Sequence, residues 1–176
     1  SLDPSALGER FTGWAHGSVV NIVEEIRIKG DDKWRIMDRL KPFITNSMIQ
    51  IEEKGRDHRT VPNFTNYLLL TNYKDALPIT NDDRRFCVMY GRIQNEQELF
   101  DFFGGREQTA DYFEHLFAES EKHAGVIKGF LLNYKISDEF KASGRAPDTS
   151  SRQAMIQATI SPEQCSVEDL INKHEC

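Results

Sequence analysis

The sequence predicts an α/β chain in two parts, a mixed strand-and-helix region over residues 1–92 and an α-helical region over 93–176. Three observations lead there. Short apolar runs end abruptly in polar residues, as in Val19-Val20-Asn21-Ile22-Val23-Glu24-Glu25 and Tyr67-Leu68-Leu69-Leu70-Thr71-Asn72, which is the pattern of buried strands. Two further apolar segments flank a glycine-containing basic stretch, the layout of a β-hairpin. Beyond Tyr90 the apolar residues instead recur in clusters at helical spacing.

Taken in order, Leu7 to Trp14 reads as a short helix and Val19 to Val23 as a buried strand. Asp31 caps a helix whose apolar positions are Trp34, Ile36, Met37 and Leu40. Met48 to Glu52 and Thr60 to Phe64 form the arms of the hairpin, because Gly55 supplies the positive backbone dihedral that a tight reversal needs. Leu68 to Leu70 is a further strand, and Phe86 to Tyr90 the last. Three apolar clusters follow, centred on Leu99 to Phe103, Tyr112 to Phe117 and Val126 to Leu132, with Gly104-Gly105 and Gly125 as breaks. Ser143 to Thr149 reads as a linker or loop, and Ser150 to Ile160 and Val167 to Lys173 as closing helices.

Composition narrows the function classes. With 39% hydrophobic and 28% charged residues, and no apolar run near the ~18 residues that cross a bilayer, a soluble protein without a membrane partner is expected. Cys87, Cys165 and Cys176 are odd in number and widely spaced, giving neither a disulfide framework nor a zinc pattern, so a reducing cytoplasm is expected. The start, Ser1-Leu2-Asp3-Pro4, lacks Met and a basic-then-apolar leader and reads as a boundary. The net charge of −6 argues against a protein coated in nucleic acid, though a local basic patch would suffice for a motor that tracks a strand.

Four features carry chemistry. Glu24 and Glu25 place adjacent carboxylates at a strand's C-terminal end, where phosphoryl transfer needs one for the magnesium shell and one for the attacking water. Acids after a buried strand also occur without any such role. Asn72 ends the second strand, either orienting the same water or simply capping the strand. Arg84 and Arg85 follow a loop rich in turn residues. They can project into a neighbouring subunit's nucleotide, or pair internally with Asp82, Asp83 or a helix acid. Lys54-Gly55-Arg56-Asp57-His58-Arg59 makes a basic hairpin tip, which is either a phosphate-backbone contact or a solvated turn.

The order of these parts, acid-tipped strand, basic hairpin, Asn-tipped strand and arginine pair, resembles the superfamily 3 helicase-type AAA+ ATPases of phages, plasmids and large DNA viruses, particularly prophage primase-helicases. Phe11-Thr12-Gly13-Trp14 with Val19 to Glu25 is similar to the approach to that family's Walker B strand. Leu40 to Thr45 resembles the segment before its DNA-facing hairpin, Asn66 to Asn72 its sensor-1 strand, and Leu77 to Phe86 its arginine-finger segment. The resemblance implies a partial AAA+, P-loop NTPase-like sheet with a β-hairpin, followed by an α-helical C-terminal region. It also implies ATP and magnesium as cofactors of the intact parent protein, single-stranded DNA as partner, a homo-oligomeric ring, and a bacterial or phage-infected cytoplasm.

On that resemblance Glu24 holds magnesium, Glu25 is the base, Asn72 positions water, Arg84 or Arg85 acts in trans, and Lys41, Lys54, Arg56 and Arg59 contact DNA. Three departures stand out. Asn21 interrupts the apolar strand, the acid pair is Glu-Glu rather than Asp-Glu, and no G-x-x-x-x-G-K-S/T phosphate loop occurs. Without that loop's amides and lysine, the chain alone is expected neither to bind nor to hydrolyse ATP, and its strand would be missing from the sheet. The alternative function is a non-catalytic DNA-binding or assembly module that keeps the remains of the fold.

Overall fold

The computed structural model describes residues 1–28, 33–141 and 144–159. The expected cap at Asp31 and the helix expected over Val167 to Lys173 lie outside them. The chain divides into two compact units, Ser1–Met89 together with the segment from Arg145 onward, and Tyr90–Gly144. The closing helix therefore groups with the first part of the chain and not with the helices that precede it.

The first unit contains the strands β1 (Val20–Val23), β2 (Met48–Ile51), β3 (Arg59–Pro62) and β4 (Asn66–Leu69), with helix α1 (Lys33–Thr45) between β1 and β2. It is a mixed α/β unit with two small sheets. β1 pairs in parallel with β4, matching Val20 to Asn66 and Val23 to Leu69. The other edge of β1 takes a single bridge, in which the Leu2 amide donates to the Ile22 carbonyl at 2.7 Å. β2 and β3 form the antiparallel hairpin, with Ile49 opposite Val61.

The hairpin's inner face builds the core. Ile49, Ile51 and Val61 are buried with Ala15 and Phe43, while Trp14 and Tyr67 pack against the cluster. Alternation along β2 and β3 makes this possible, since every second side chain of a strand faces the same way. The Trp14 and Phe43 rings lie 5.2 Å apart between centroids, which ties the last turns of α1 to the chain before β1. At the tip Gly55 adopts φ +76 with no atom near a hypothetical Cβ, so the turn selects glycine for its backbone and not for space.

Four expectations are corrected. Leu7 to Trp14 is not one helix but two 3-10 turns, Pro4–Leu7 and Gly13–Ala15. The Thr12 amide donates to the Glu52 carbonyl and the Glu52 amide to Thr12 Oγ1, both at 2.9 Å, so pairing with the hairpin displaces the helical bond. Val19 to Val23 is only half buried: Asn21 and Val23 face inward, whereas Val20 is 52% exposed. Phe86 to Tyr90 forms no strand. Its Val88 carbonyl accepts from Thr149 Oγ1, so a side chain occupies a group that a strand would give to its neighbour. Gly125 lies inside a helix, and the break falls at His123.

The second unit is helical, with α2 (Glu96–Phe103), α3 (Arg106–Lys122) and α4 (Ala124–Asn133). Asn95 Oδ1 accepts from the Glu98 amide at 2.9 Å, and Glu98 Oε2 accepts from the Gln94 amide at 2.9 Å, a side-chain exchange that fixes where α2 begins. Gly104 ends it in the left-handed conformation, φ 89. Phe103 then packs on Tyr112 at 4.4 Å between centroids. The apolar side chains of α4, including Phe130 and Leu131, are exposed. The last helix among the described residues, α5 (Ser150–Thr159), belongs to the first unit and buries Arg152, Met155 and Ile156.

Candidate functional site

Parallel pairing of β1 with β4 brings both strand ends to one edge. The Leu70 amide donates to the Val23 carbonyl and the Ile26 amide to the Leu70 carbonyl, each at 2.9 Å, so the pairing outlasts the strands and Glu24-Glu25 run beside Leu70-Thr71. Asn72 follows at once, and all three candidate side chains are exposed. Glu25 has φ 54, the one non-glycine positive φ among the described residues. Such a conformation costs roughly 1–2 kcal/mol and is retained where the surroundings dictate it.

A clamp that sequence reading missed joins the two strand-end loops. Arg27 stacks over the Tyr73 ring at 3.8 Å and donates from Nη2 to Asp75 Oδ2 at 2.9 Å. Its hydrogen bond to Asp75 raises the guanidinium pKa further above its ordinary value. No local signal in the sequence links Arg27 to residues 46 and more positions away; only the pairing of the strands does. Asn21, the polar interruption in β1, is explained by a nearby bond, its Nδ2 donating to the Trp14 carbonyl at 3.1 Å.

The paired arginines have different surroundings. The Arg85 amide donates to Asp83 Oδ1 at 2.9 Å, and Arg85 Nη1 lies 3.6 Å from Asp83 Oδ2. Asp83 is buried, so Arg85 takes the internal pairing. The Arg84 side chain is exposed and makes no ion pair or hydrogen bond among the described residues. The same residues include no such contact from Arg84 or Arg85 to Glu24, Glu25 or Asn72. The backbone that carries the acid pair thus runs beside the segment that leads to Asn72, without a side-chain hydrogen bond between them among the described residues, and the arginines do not join them.

Among the basic candidates, Arg56 and Arg59 both reach Glu53 Oε2, at 3.1 and 3.3 Å. Lys54 makes no ion pair among the described residues. Lys41 lies on α1 and pairs with Asp38 at 2.6 Å, away from the hairpin tip in sequence and in its partners. Glu52 also receives Arg10 and His58, so the base of the hairpin loop is acidic and its tip basic.

Magnesium and a nucleotide make different demands on the donor set at the sheet edge. Among the described residues no group of three or more His, Cys, Asp or Glu comes together to cage a metal. Two adjacent exposed carboxylates suit magnesium, which keeps several waters and takes one or two carboxylates beside substrate phosphates. For phosphates the sequence has no phosphate loop, so these residues are compatible with a magnesium ion that keeps its waters but supply no cradle for a nucleotide.

Residues 1–85 match a family of unknown function, DUF5906. Along 92% of its length the chain is 20% identical to the DNA primase-polymerase of Nitratiruptor phage NrS-1, spanning 21% of that protein. The apo C-terminal region of NrS-1 superposes with a TM-score of 0.69 at 18% identity, over 92% of this chain and 36% of that one. A second apo form of that region gives a TM-score of 0.61 at 15% identity, covering 35% of its length. The chain therefore shares the fold of part of this phage protein's C-terminal region. No helix among the described residues is long and apolar enough to cross a membrane.

Proposed function

We propose that this chain carries the Walker B, sensor-1 and arginine-finger portion of a helicase-type AAA+ motor in phage or prophage DNA replication, whose phosphate loop is supplied by other sequence. The observation that carries the reading is the parallel β1–β4 pair, which sets Glu24, Glu25 and Asn72 at one sheet end. Similarity to a phage primase-polymerase supports the replication context.

In this mechanism Glu24 would hold magnesium, and Glu25 would accept the proton of the attacking water while Asn72 fixes that water's direction. Bound magnesium would neutralise charge on the phosphates. Arg84, whose side chain is exposed and makes no ion pair or hydrogen bond among the described residues, reaches into the adjacent subunit of a ring, where a guanidinium stabilises charge developing in phosphoryl transfer. Arg85 braces the loop through Asp83. Lys41, Lys54, Arg56 and Arg59 contact the backbone of single-stranded DNA, with little base specificity.

Two measurements test this. The isolated chain should show no micromolar binding of Mg-ATP by calorimetry, and in the intact motor Glu25→Gln should lower ATP turnover by about a hundredfold or more with little change in KM. Unchanged turnover would remove the ATPase reading. The absence of a phosphate-loop motif from the sequence favours the alternative, a non-catalytic DNA-binding or assembly module, and that reading would then stand if DNA binding persisted.

A further inference from the structure

Arg152 lies in the first turn of α5 and is only 3% exposed, an unusual place for a guanidinium, since buried charge is costly unless fully bonded. Three of its bonds run to one loop. Nη2 donates to the carbonyls of Thr80, Asn81 and Asp83 at 2.8, 2.9 and 2.7 Å, while Nη1 donates to Asp148 Oδ1 at 3.0 Å. Asp148 is itself held by Gln153 Nε2 at 3.0 Å. Neighbours of Arg152 bind the same loop. Arg145 Nη2 donates to the Asn81 carbonyl and the Ala146 amide to the Arg84 carbonyl, both at 2.9 Å.

The loop so held is the one that presents Arg84. Carbonyls on both sides of its Cα, those of Asp83 and Arg84, are bonded to the segment 145–152, while the Arg84 side chain is left exposed. A connecting loop of no consequence could be covered by an apolar residue at position 152, with its carbonyls turned to water. Nη2 gathers the three loop carbonyls while Nη1 is anchored by Asp148, so the planar guanidinium, held at both amino nitrogens, fixes that backbone in one conformation, and a charged group that acts at a distance from its own fold needs that fixity. Displacement of a catalytic group by about 1 Å can cost about a hundredfold in rate.

We propose that Arg152 is a positioning residue for Arg84, fixing the loop 80–85 so that the exposed arginine is preset for the neighbouring subunit's nucleotide. The inference rests on the ATPase reading for what Arg84 does, and on the geometry alone for what Arg152 holds. It gives α5 a defined task, as the buttress of the arginine loop.

The test uses the intact motor with Arg152→Lys, which keeps the charge and loses the fork, and Arg145→Ala, which removes one bond from an exposed side chain. Amide hydrogen exchange should rise about tenfold or more at residues 81–86 in Arg152→Lys, with α1 unchanged. Turnover should fall about tenfold to a hundredfold with KM within about twofold, and Arg145→Ala should show the same pattern more weakly. Mixing of subunits then assigns the side of the interface. Arg152→Lys should regain activity when mixed with Glu25→Gln subunits, as Arg84→Ala should, and should not regain it with Arg84→Ala.

Unaltered exchange in the loop would overturn the proposal whatever the ATPase does, and so would recovery on mixing with Arg84→Ala or a failure to recover with Glu25→Gln when Arg84→Ala does recover. If Glu25→Gln and Arg84→Ala do not complement each other, the ATPase reading fails separately, and the exchange result still decides whether Arg152 holds the loop.

Discussion

Glu25 holds a left-handed backbone conformation, φ 54, at the turn where β1 ends. A side chain there raises the energy of the folded state, and glycine would relieve it, less its own entropy cost. Glu25→Gly is therefore expected to stabilise the chain by about 0.5–1 kcal/mol in urea denaturation, while the same change in the intact motor removes the proposed base. Destabilisation would mean that the glutamate side chain makes a contribution larger than its strain. Tyr67 gives a second residue-scale expectation. Burial pushes its phenol up to about 12, partly offset by the Asn21 amide. The sign follows from the raised value: the stabilising effect of the neutral phenol is complete below the ordinary tyrosine pKa and is lost as pH rises through about 12. Titration of phenolate absorbance should show a late-ionising group that Tyr67→Phe removes and that coincides with alkaline loss of structure.

The hairpin is where element-scale energetics decides between a solvated turn and a nucleic-acid contact. Arg56 and Arg59 share Glu53, and exposed pairs of this kind are worth about 0–1 kcal/mol, so phosphate can displace the carboxylate. Replacing Lys54, Arg56 and Arg59 with alanine in the intact protein should weaken single-strand binding and flatten its salt dependence, by about 0.7 in log-log slope per lost contact. Stability should stay within about 0.5 kcal/mol of the parent. Fluorescence anisotropy across a salt series measures both affinity and slope. Unchanged values would identify a solvated turn whose charges only balance Glu52 and Glu53.

Over the whole molecule, burial is unevenly distributed. Ile51 is fully buried in the first unit, whereas Leu131 in the helical unit is 66% exposed. Ile51→Ala should cost about 2–5 kcal/mol through lost contacts and a cavity, and Leu131→Ala no more than about 0.5 kcal/mol, although both remove comparable apolar bulk. Urea denaturation of the two variants checks the contrast. Equal losses would mean that α4 is covered in solution. The outward face of the β1–β4 pair is likewise apolar and exposed at Val20, Ile22, Leu68 and Leu70, in a parallel arrangement whose faces are ordinarily both covered.

The sequence by itself determined the elements whose causes are local. Alternating apolar residues and Gly55 specify the hairpin, helical periodicity specifies α1 to α5, and Gly104 marks the end of α2, because each needs only neighbours within a few positions. The acid-tipped β1 and the apolar run of β4 were also legible, although β4 closes at Leu69, three residues before the Asn72 expected to end it. What only the tertiary structure decided depends on partners distant in the chain. Phe86 to Tyr90 has strand composition but gives its Val88 carbonyl to Thr149, and Leu7 to Trp14 has helical spacing but gives its Thr12 backbone to Glu52. The separation of Arg84 from Arg85, the Arg27 clamp and the burial of Arg152 were invisible for the same reason: a cation's role is set by which carbonyls and carboxylates surround it, and those come from residues as many as 72 positions away.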